Sequence, residues 1–126
     1  MKKILIIDDE EDFCFVLQRN LEAVGDFETE VCIDSTKAID KVNSFRPDLI
    51  ILDVMMPEVS GSDIASELKS REDTKNIPIV FLTAIITNDE AEKRSNIVGG
   101  QYFLAKPIEI EILVKAINKF LTEQNP

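Results

Sequence analysis

The chain has 126 residues, 44% of them apolar, and a formal net charge of −10 from 14 basic and 24 acidic side chains. This length and composition fit one domain that buries a core, which argues against a disordered chain, and no apolar run approaches the roughly 18 residues of a membrane span. The negative charge argues against direct binding of nucleic acid, and the absence of histidine, with two isolated cysteines, argues against zinc sites and histidine catalysis.

The amino-terminal segment does not resemble a signal peptide. Its apolar run of four residues is too short, and the acidic residues 8–12 end it. We therefore expect a cytoplasmic protein. We interpret its two cysteines, Cys14 and Cys32, as small core residues rather than a redox pair.

The first half of the chain predicts alternating strands and helices. Residues 3–8 form a buried strand and residues 11–24 a helix that ends at Gly25. Residues 27–33 alternate apolar and polar side chains, which is typical of a half-exposed strand at a sheet edge. Ser35 is then predicted to cap a second helix.

The second half continues this alternation, and its helix at about 88–98 has so thin an apolar face that we expect it to move. The predicted apolar faces of the first and last helices include Val16 and Ile112. The predicted elements are a strand at 48–52, a loop at 54–60, a helix at about 61–71, strands at 78–82 and 101–105, and helices at about 88–98 and at 109–122.

Repeated strand–helix–strand units cross over with one hand and place helices on both faces of a parallel sheet. The pattern therefore predicts an α/β fold, a doubly wound three-layer sandwich. We expect a single domain over residues 1–126 with its core at about 3–122.

Four predicted strands end on polar residues. Asp8 and Asp9 follow the first strand, Asp53 the third, Thr83 the fourth and Lys106 the fifth. Because ligands bind beyond the carboxyl ends of parallel strands, we expect these side chains to meet. Three carboxylates suit Mg²⁺, and a carboxylate can attack phosphorus to form an aspartyl phosphate.

Each of these residues also has a simpler explanation. Asp9 or Asp12 could cap the first helix, and Asp53 could be a solvated carboxylate. Thr83 could be an ordinary β-branched strand residue, and Lys106 could extend along the surface. Their shared position at strand ends favours a site.

Four segments resemble the receiver domain of bacterial two-component response regulators, and the resemblance covers nearly the whole chain. It implies a flavodoxin-like sheet of five parallel strands in the order 2-1-3-4-5. The segments are Ile6-Ile7-Asp8-Asp9-Glu10, Leu52-Asp53-Val54-Met55-Met56-Pro57 followed by Gly61, Leu82-Thr83-Ala84, and Phe103-Leu104-Ala105-Lys106-Pro107.

The resemblance implies that Asp53 accepts a phosphoryl group from a histidine kinase or a histidine phosphotransfer protein. Thr83 and Lys106 would contact the phosphoryl oxygens, so the domain would catalyse its own phosphorylation and dephosphorylation without being an enzyme for other substrates. The Lys106-Pro107 peptide bond would be cis. Asp9 and Asp53 would ligate Mg²⁺ directly and Asp8 through a water molecule, and the carbonyl oxygen of Met55 would complete the protein ligands.

The resemblance also implies a switch formed by Thr83 and Phe103. Phosphorylation would pull Thr83 towards the site and change the surface of the fourth predicted helix, the fifth strand and the last helix. A downstream protein target or an output domain would bind that surface, which could also form a phosphorylation-linked homodimer. The family often has tyrosine where Phe103 stands, and Phe103 could equally be a core residue.

Two apolar residues flank the expected path of the hydrolytic water. Met55 lies two residues after Asp53, and Ile85 lies two residues after Thr83. We hypothesise that they shield the acyl phosphate and give it a long lifetime.

Three other functions compete with this interpretation. The chain could be a phosphorylation-independent interaction module of receiver fold, although every site residue is present. An Mg²⁺-dependent phosphatase often has a second Asp where Met55 stands. A flavin or nucleotide binder would need a Gly- or Ser/Thr-rich loop where residues 8–12 are acidic. The sequence also leaves open the cognate kinase, the target, and whether the regulator is stand-alone or part of a larger protein.

Overall fold

A computed structural model describes residues 1–84, 97–98, 101–106 and 108–124. These ranges contain six strands, four α-helices and one 3₁₀ turn. In chain order they are β1 (Lys2–Ile7), α1 (Glu11–Val24), β2 (Phe27–Cys32), the 3₁₀ turn (Ser35–Lys37), α2 (Ala38–Phe45), β3 (Leu49–Asp53), α3 (Gly61–Lys69), β4 (Ile79–Thr83), β5 (Ile97–Val98), β6 (Gln101–Ala105) and α4 (Ile110–Gln124).

The strands form one sheet in the order β2-β1-β3-β4-β6-β5. The five longer strands are parallel, and they correspond to the predicted order 2-1-3-4-5. The predicted α/β fold is therefore confirmed, and β2 lies at the sheet edge as its alternating pattern indicated. None of the helices in the described ranges is long and apolar enough to cross a membrane.

The prediction of a helix reaching residue 98 is wrong at its carboxyl end. Ile97 and Val98 form β5, which pairs antiparallel with β6 next to Gln101 and Tyr102. Both residues have β-branched or apolar side chains that suit a strand as well as a helix face. The rest of that predicted helix lies outside the described residues.

Buried strand residues alternate between two core layers, because successive side chains in a strand point to opposite faces. One layer packs against α1 and α4, and the other packs against α2 and α3. The first includes Ile4, Ile6, Leu49, Ile51, Val80 and Leu82, and the second includes Leu5, Ile7, Ile50, Leu52, Ile79 and Phe81.

Helix faces and caps differ from prediction at several positions. Val16 and Ile112 are 56% and 45% exposed, so neither belongs to the core. The residue directly before α1 is Glu10, not Asp9 or Asp12. The side chain of Glu10 makes no capping hydrogen bond. The predicted cap at Ser35 is also wrong, because the Asp34 side chain accepts the hydrogen bond from Thr36 N at the 3₁₀ turn.

Glycine is favoured at positions 25 and 61 for different structural reasons. Gly25 ends α1 in the left-handed region with φ +95°, and open space surrounds the position of a Cβ atom. At Gly61, by contrast, a Cβ atom would lie 2.1 Å from the carbonyl oxygen of Asp53. The close approach of these two backbone segments therefore requires glycine at position 61.

We expect Gly61→Ala to destabilise the fold by roughly 2–3 kcal/mol, because the backbone at the end of β3 must move to admit the methyl group. Gly25→Ala is the matched control, and positive φ alone should cost it about 1 kcal/mol. Urea unfolding of both variants measures the difference. Equal losses would show that the contact with Asp53 relaxes at little cost.

Candidate functional site

The predicted site residues lie at one edge of the sheet. Asp8 directly follows β1, Asp53 ends β3, Thr83 ends β4 and Lys106 directly follows β6. Asp8, Asp53 and Thr83 are each less than 5% exposed. The carboxyl ends of three strands thus place two carboxylates and a hydroxyl in buried positions.

Backbone hydrogen bonds beyond the regular strands fix these positions. The N–H of Asp8 donates to the carbonyl of Cys32 at 3.1 Å, and the N–H of Lys106 donates to the carbonyl of Thr83 at 3.0 Å. The N–H of Val54, next to Asp53, donates to the carbonyl of Leu82 at 3.1 Å. Each site residue is therefore tied to the strand beside it.

The Lys106 ammonium group lies between three carboxylates. Its Nζ atom is 2.8 Å from Asp8 Oδ2, 2.5 Å from Glu10 Oε1 and 3.7 Å from Asp53 Oδ2. It also lies 4.6 Å from the ring centroid of Phe13, which adds a cation–π contact. One half-buried cation thus compensates part of the negative charge of the site.

Opposing effects act on the pKa of the Lys106 ammonium group. Burial by itself would lower the pKa of this ammonium group, but hydrogen bonding and charge interaction with Asp8 and Glu10 outweigh burial and raise the pKa above its usual value. Lys106 therefore stays protonated at neutral pH, available to a further anion.

The pKa of the Asp53 carboxyl is also raised, but for different reasons. Burial, followed by the negative charge of Asp8, raises its pKa to about 6, against the lowering effect of Lys106 and of the Met55 N–H. Asp9 contributes to the increase. A cation that neutralised Asp8 would therefore favour the ionised, nucleophilic form of Asp53.

Three carboxylates could hold a metal ion. Oxygen atoms of Asp8, Glu10 and Asp53 all lie within 4.8 Å of one another. Asp8 Oδ2 is buried, and its partner among the described residues is the Lys106 ammonium, 2.8 Å away. An all-oxygen set whose negative charge is only partly offset by one ammonium group suits a hard divalent cation such as Mg²⁺.

This group differs in part from the four predicted ligands. Asp8 and Asp53 are brought together, whereas Asp9 is exposed and is not one of the three carboxylates. Met55 is 64% exposed, and its N–H donates to Asp53 Oδ1 at 3.4 Å. Glu10 had no predicted role, and its place in the acidic run was the signal that could have identified it.

The two residues predicted to form the switch also lie at this edge or beside it. Thr83 is buried at the end of β4. Phe103 is half-buried and stacks on Phe81 with ring centroids 5.1 Å apart. Both rings line a surface cavity of about 570 Å³ next to α3. Ile85 and Pro107, and with them the predicted cis bond, lie outside the described residues.

Both cysteines are free and buried, which confirms their interpretation as core residues. Cys14 donates its S–H to the carbonyl of Asp8 at 3.3 Å. Burial and the nearby Asp8 carboxylate raise the pKa of Cys14 to about 12, and burial also raises the pKa of Cys32. Neither thiol is therefore activated as a nucleophile.

The family model of the response regulator receiver domain matches residues 4–118 of this chain. The chain belongs to this family. Receiver domains are the regulated modules of two-component systems; they bind Mg²⁺ at an acidic pocket and interact with histidine kinases and output domains.

The relatives of this chain include proteins about twice its length and proteins of similar length. PhoP of Bacillus subtilis (strain 168), an alkaline phosphatase synthesis transcriptional regulatory protein, is 37% identical over 120 residues, which cover 92% of this chain and 48% of PhoP. The polar-differentiation response regulator DivK of Brucella anthropi is 30% identical over 120 residues, which cover 95% of this chain and 96% of DivK. The chain therefore spans about half the length of PhoP and nearly all of DivK.

Solved receiver structures agree with the fold. A two-component response regulator from Clostridium difficile superposes with a TM-score of 0.81 at 28% sequence identity, and the match covers 100% of both chains.

We expect Asp53→Asn to stabilise the receiver domain near pH 7 without divalent cations. The pKa of Asp53 rises from 3.8 to about 6 on folding, so this carboxyl contributes stability below about pH 4 that is lost as the pH rises through 6. Asparagine cannot ionise and avoids the loss. The gain, on the order of 1 kcal/mol, is measured by urea unfolding across this range.

The control for this prediction is Asp40→Asn, because Asp40 is an exposed carboxylate on α2. Its unfolding free energy should follow the native pH profile. A profile of Asp53→Asn parallel to the native profile would contradict the expected destabilising charge at Asp53.

Proposed function

We propose that this receiver domain accepts a phosphoryl group on Asp53, with Mg²⁺, from a histidine kinase or a histidine phosphotransfer protein. One observation carries the proposal: the buried Asp53 carboxylate lies 3.7 Å from the Lys106 ammonium, beside Asp8 and Glu10, at the sheet edge. A nucleophilic carboxylate, a fixed cation and an oxygen-rich metal site are what phosphoryl transfer requires.

In the proposed reaction, a carboxylate oxygen of Asp53 attacks the phosphorus atom of the donor phosphohistidine. A new P–O bond forms, the P–N bond breaks, and the imidazole leaves with its electron pair and takes up a proton. A bound Mg²⁺ would neutralise charge on the phosphoryl oxygens and on the carboxylates of Asp8, Asp53 and Asp9 or Glu10, with the Met55 carbonyl as a further ligand. The Lys106 ammonium and the Thr83 hydroxyl would bind the transferred group.

Phosphorylation then acts as a switch. The product carries roughly −1.5 to −2 charges in place of one carboxylate, and this charge attracts Lys106 and Thr83. Because Lys106 N and Thr83 O are joined by a hydrogen bond of 3.0 Å, the ends of β4 and β6 are linked in this response. Phe103, on β6 and beside the cavity next to α3, would change its packing and alter the surface that partners bind.

The partners follow from charge and from the relatives. With a net charge of −10, the domain itself is a poor ligand for nucleic acid or for an anionic membrane. PhoP is named a transcriptional regulator, so an output domain would supply DNA binding in a regulator of that type, whereas DivK is about as long as this chain. We place the domain in the cytoplasm, as one unit that is not an enzyme for other substrates.

We expect incubation with acetyl phosphate and Mg²⁺ to add one phosphoryl group to the native chain. Asp53→Asn should add none because it lacks the nucleophile, and chelation of Mg²⁺ should also prevent the reaction. Intact-mass measurement detects the product. Asp40→Asn is the matched control and should be phosphorylated like the native chain. Absence of the adduct in the native chain would favour the phosphorylation-independent interaction module.

We expect Met55→Asn to shorten the lifetime of the phosphorylated chain several-fold. Met55 follows Asp53 by two residues and is 64% exposed, where an apolar side chain would hinder an approaching water molecule. A polar side chain would instead orient that water. The decay of the phosphorylated mass measures the lifetime, and Met55→Leu should retain the native value. Equal decay of all three chains would contradict shielding by Met55.

A further inference from the structure

The loop between β3 and α3 contains a strained turn. Glu58 has a φ of +70°, and the N–H of Val59 donates to the carbonyl of Pro57 at 2.9 Å. These three residues therefore form a γ-turn with a positive central φ, a rare conformation for a residue other than glycine. Such a turn persists only where surrounding contacts hold it.

Ser35 contacts both ends of this turn from a distant part of the chain. Its hydroxyl donates to the carbonyl of Pro57 at 2.8 Å and accepts from the N–H of Val59 at 3.3 Å. Ser35 is buried, and Asp34 already provides the cap of the 3₁₀ turn. The Ser35 hydroxyl thus uses its donor and its acceptor capacity on the loop that follows Asp53.

The turn is close in sequence to the groups that would hold Mg²⁺. The same loop carries Met55, whose N–H donates to Asp53 Oδ1 at 3.4 Å. A hydrogen bond of 3.0 Å from Gly61 N to Val54 O closes the loop at its other end. The segment that carries Met55 therefore lies between the fixed pair Val54 and Gly61 and the turn at Pro57 and Val59.

We propose that Ser35 is a positioning residue for the metal site. It clamps the strained turn at Glu58, and the clamped turn holds the Met55 carbonyl and the Asp53 carboxylate in the arrangement that binds Mg²⁺. This inference rests on the proposed function, and it assigns to the segment between β2 and α2 a role in the chemistry at the end of β3.

The test is calorimetric titration of the full chain with MgCl₂. Ser35→Ala should weaken Mg²⁺ binding about tenfold, a typical effect of losing a residue that orients metal ligands. The matched control is Ser44→Ala, since the exposed Ser44 hydroxyl donates to the carbonyl of Lys41 on α2, at 3.2 Å. Ser44→Ala should bind Mg²⁺ within about twofold of the native chain. Ser35→Cys, which leaves no cavity, replaces Ser35→Ala if that variant does not fold.

A second background separates clamping from a general contribution to folding. Glycine adopts positive φ without strain, so the turn in Glu58→Gly needs less support. Ser35→Ala should therefore weaken Mg²⁺ binding clearly less in the Glu58→Gly background than in the native background. An equal factor in both backgrounds would overturn the clamp, because the two residues would then act independently.

The remaining outcomes are also decisive. Native Mg²⁺ affinity in a folded Ser35→Ala or Ser35→Cys chain would overturn the inference and leave the proposed phosphoacceptor function standing. Failure of the native chain itself to bind millimolar Mg²⁺ would overturn the proposed function, and with it any role of Ser35 towards the metal.

Discussion

The ion pairs of Lys106 are the interaction on which the rest of the site depends. Three carboxylates within 4.8 Å of one another would repel strongly in a buried space. The ammonium group offsets part of this repulsion from 2.8 Å at Asp8 and from 3.7 Å at Asp53. The compensation is incomplete, since burial and Asp8 still raise the pKa of Asp53. The folded site thus keeps an excess of negative charge that a divalent cation can relieve.

Most of the fold could be predicted because its strands are continuous apolar runs. Residues such as Ile50 and Ile51 are buried on both faces of a parallel sheet, and no other simple arrangement satisfies them. Helix faces were less certain. Periodicity gives the direction of Val16 and Ile112 around a helix axis but does not say whether a neighbouring element covers them, and both are exposed.

The site was predictable in its members and less so in its contacts. Asp8, Asp53, Thr83 and Lys106 could be placed together because parallel strands end at one edge. The contact of Glu10 with Lys106 joins residues 96 positions apart, and no local pattern encodes it. For the same reason the prediction of a helix cap at Ser35 is wrong: local sequence supports that role, whereas the Ser35 hydroxyl donates to the carbonyl of Pro57, 22 residues away.

The long sequence separation between Glu10 and Lys106 has a consequence during protein synthesis. The acidic residues and Asp53 leave the ribosome well before Lys106, the cation that stabilises them. Until β6 docks, the carboxylates of Asp8 and Asp53 therefore lack the ammonium group that offsets part of their repulsion. The charge balance of this sheet edge is accordingly set late, by the strand that completes the parallel order β2-β1-β3-β4-β6.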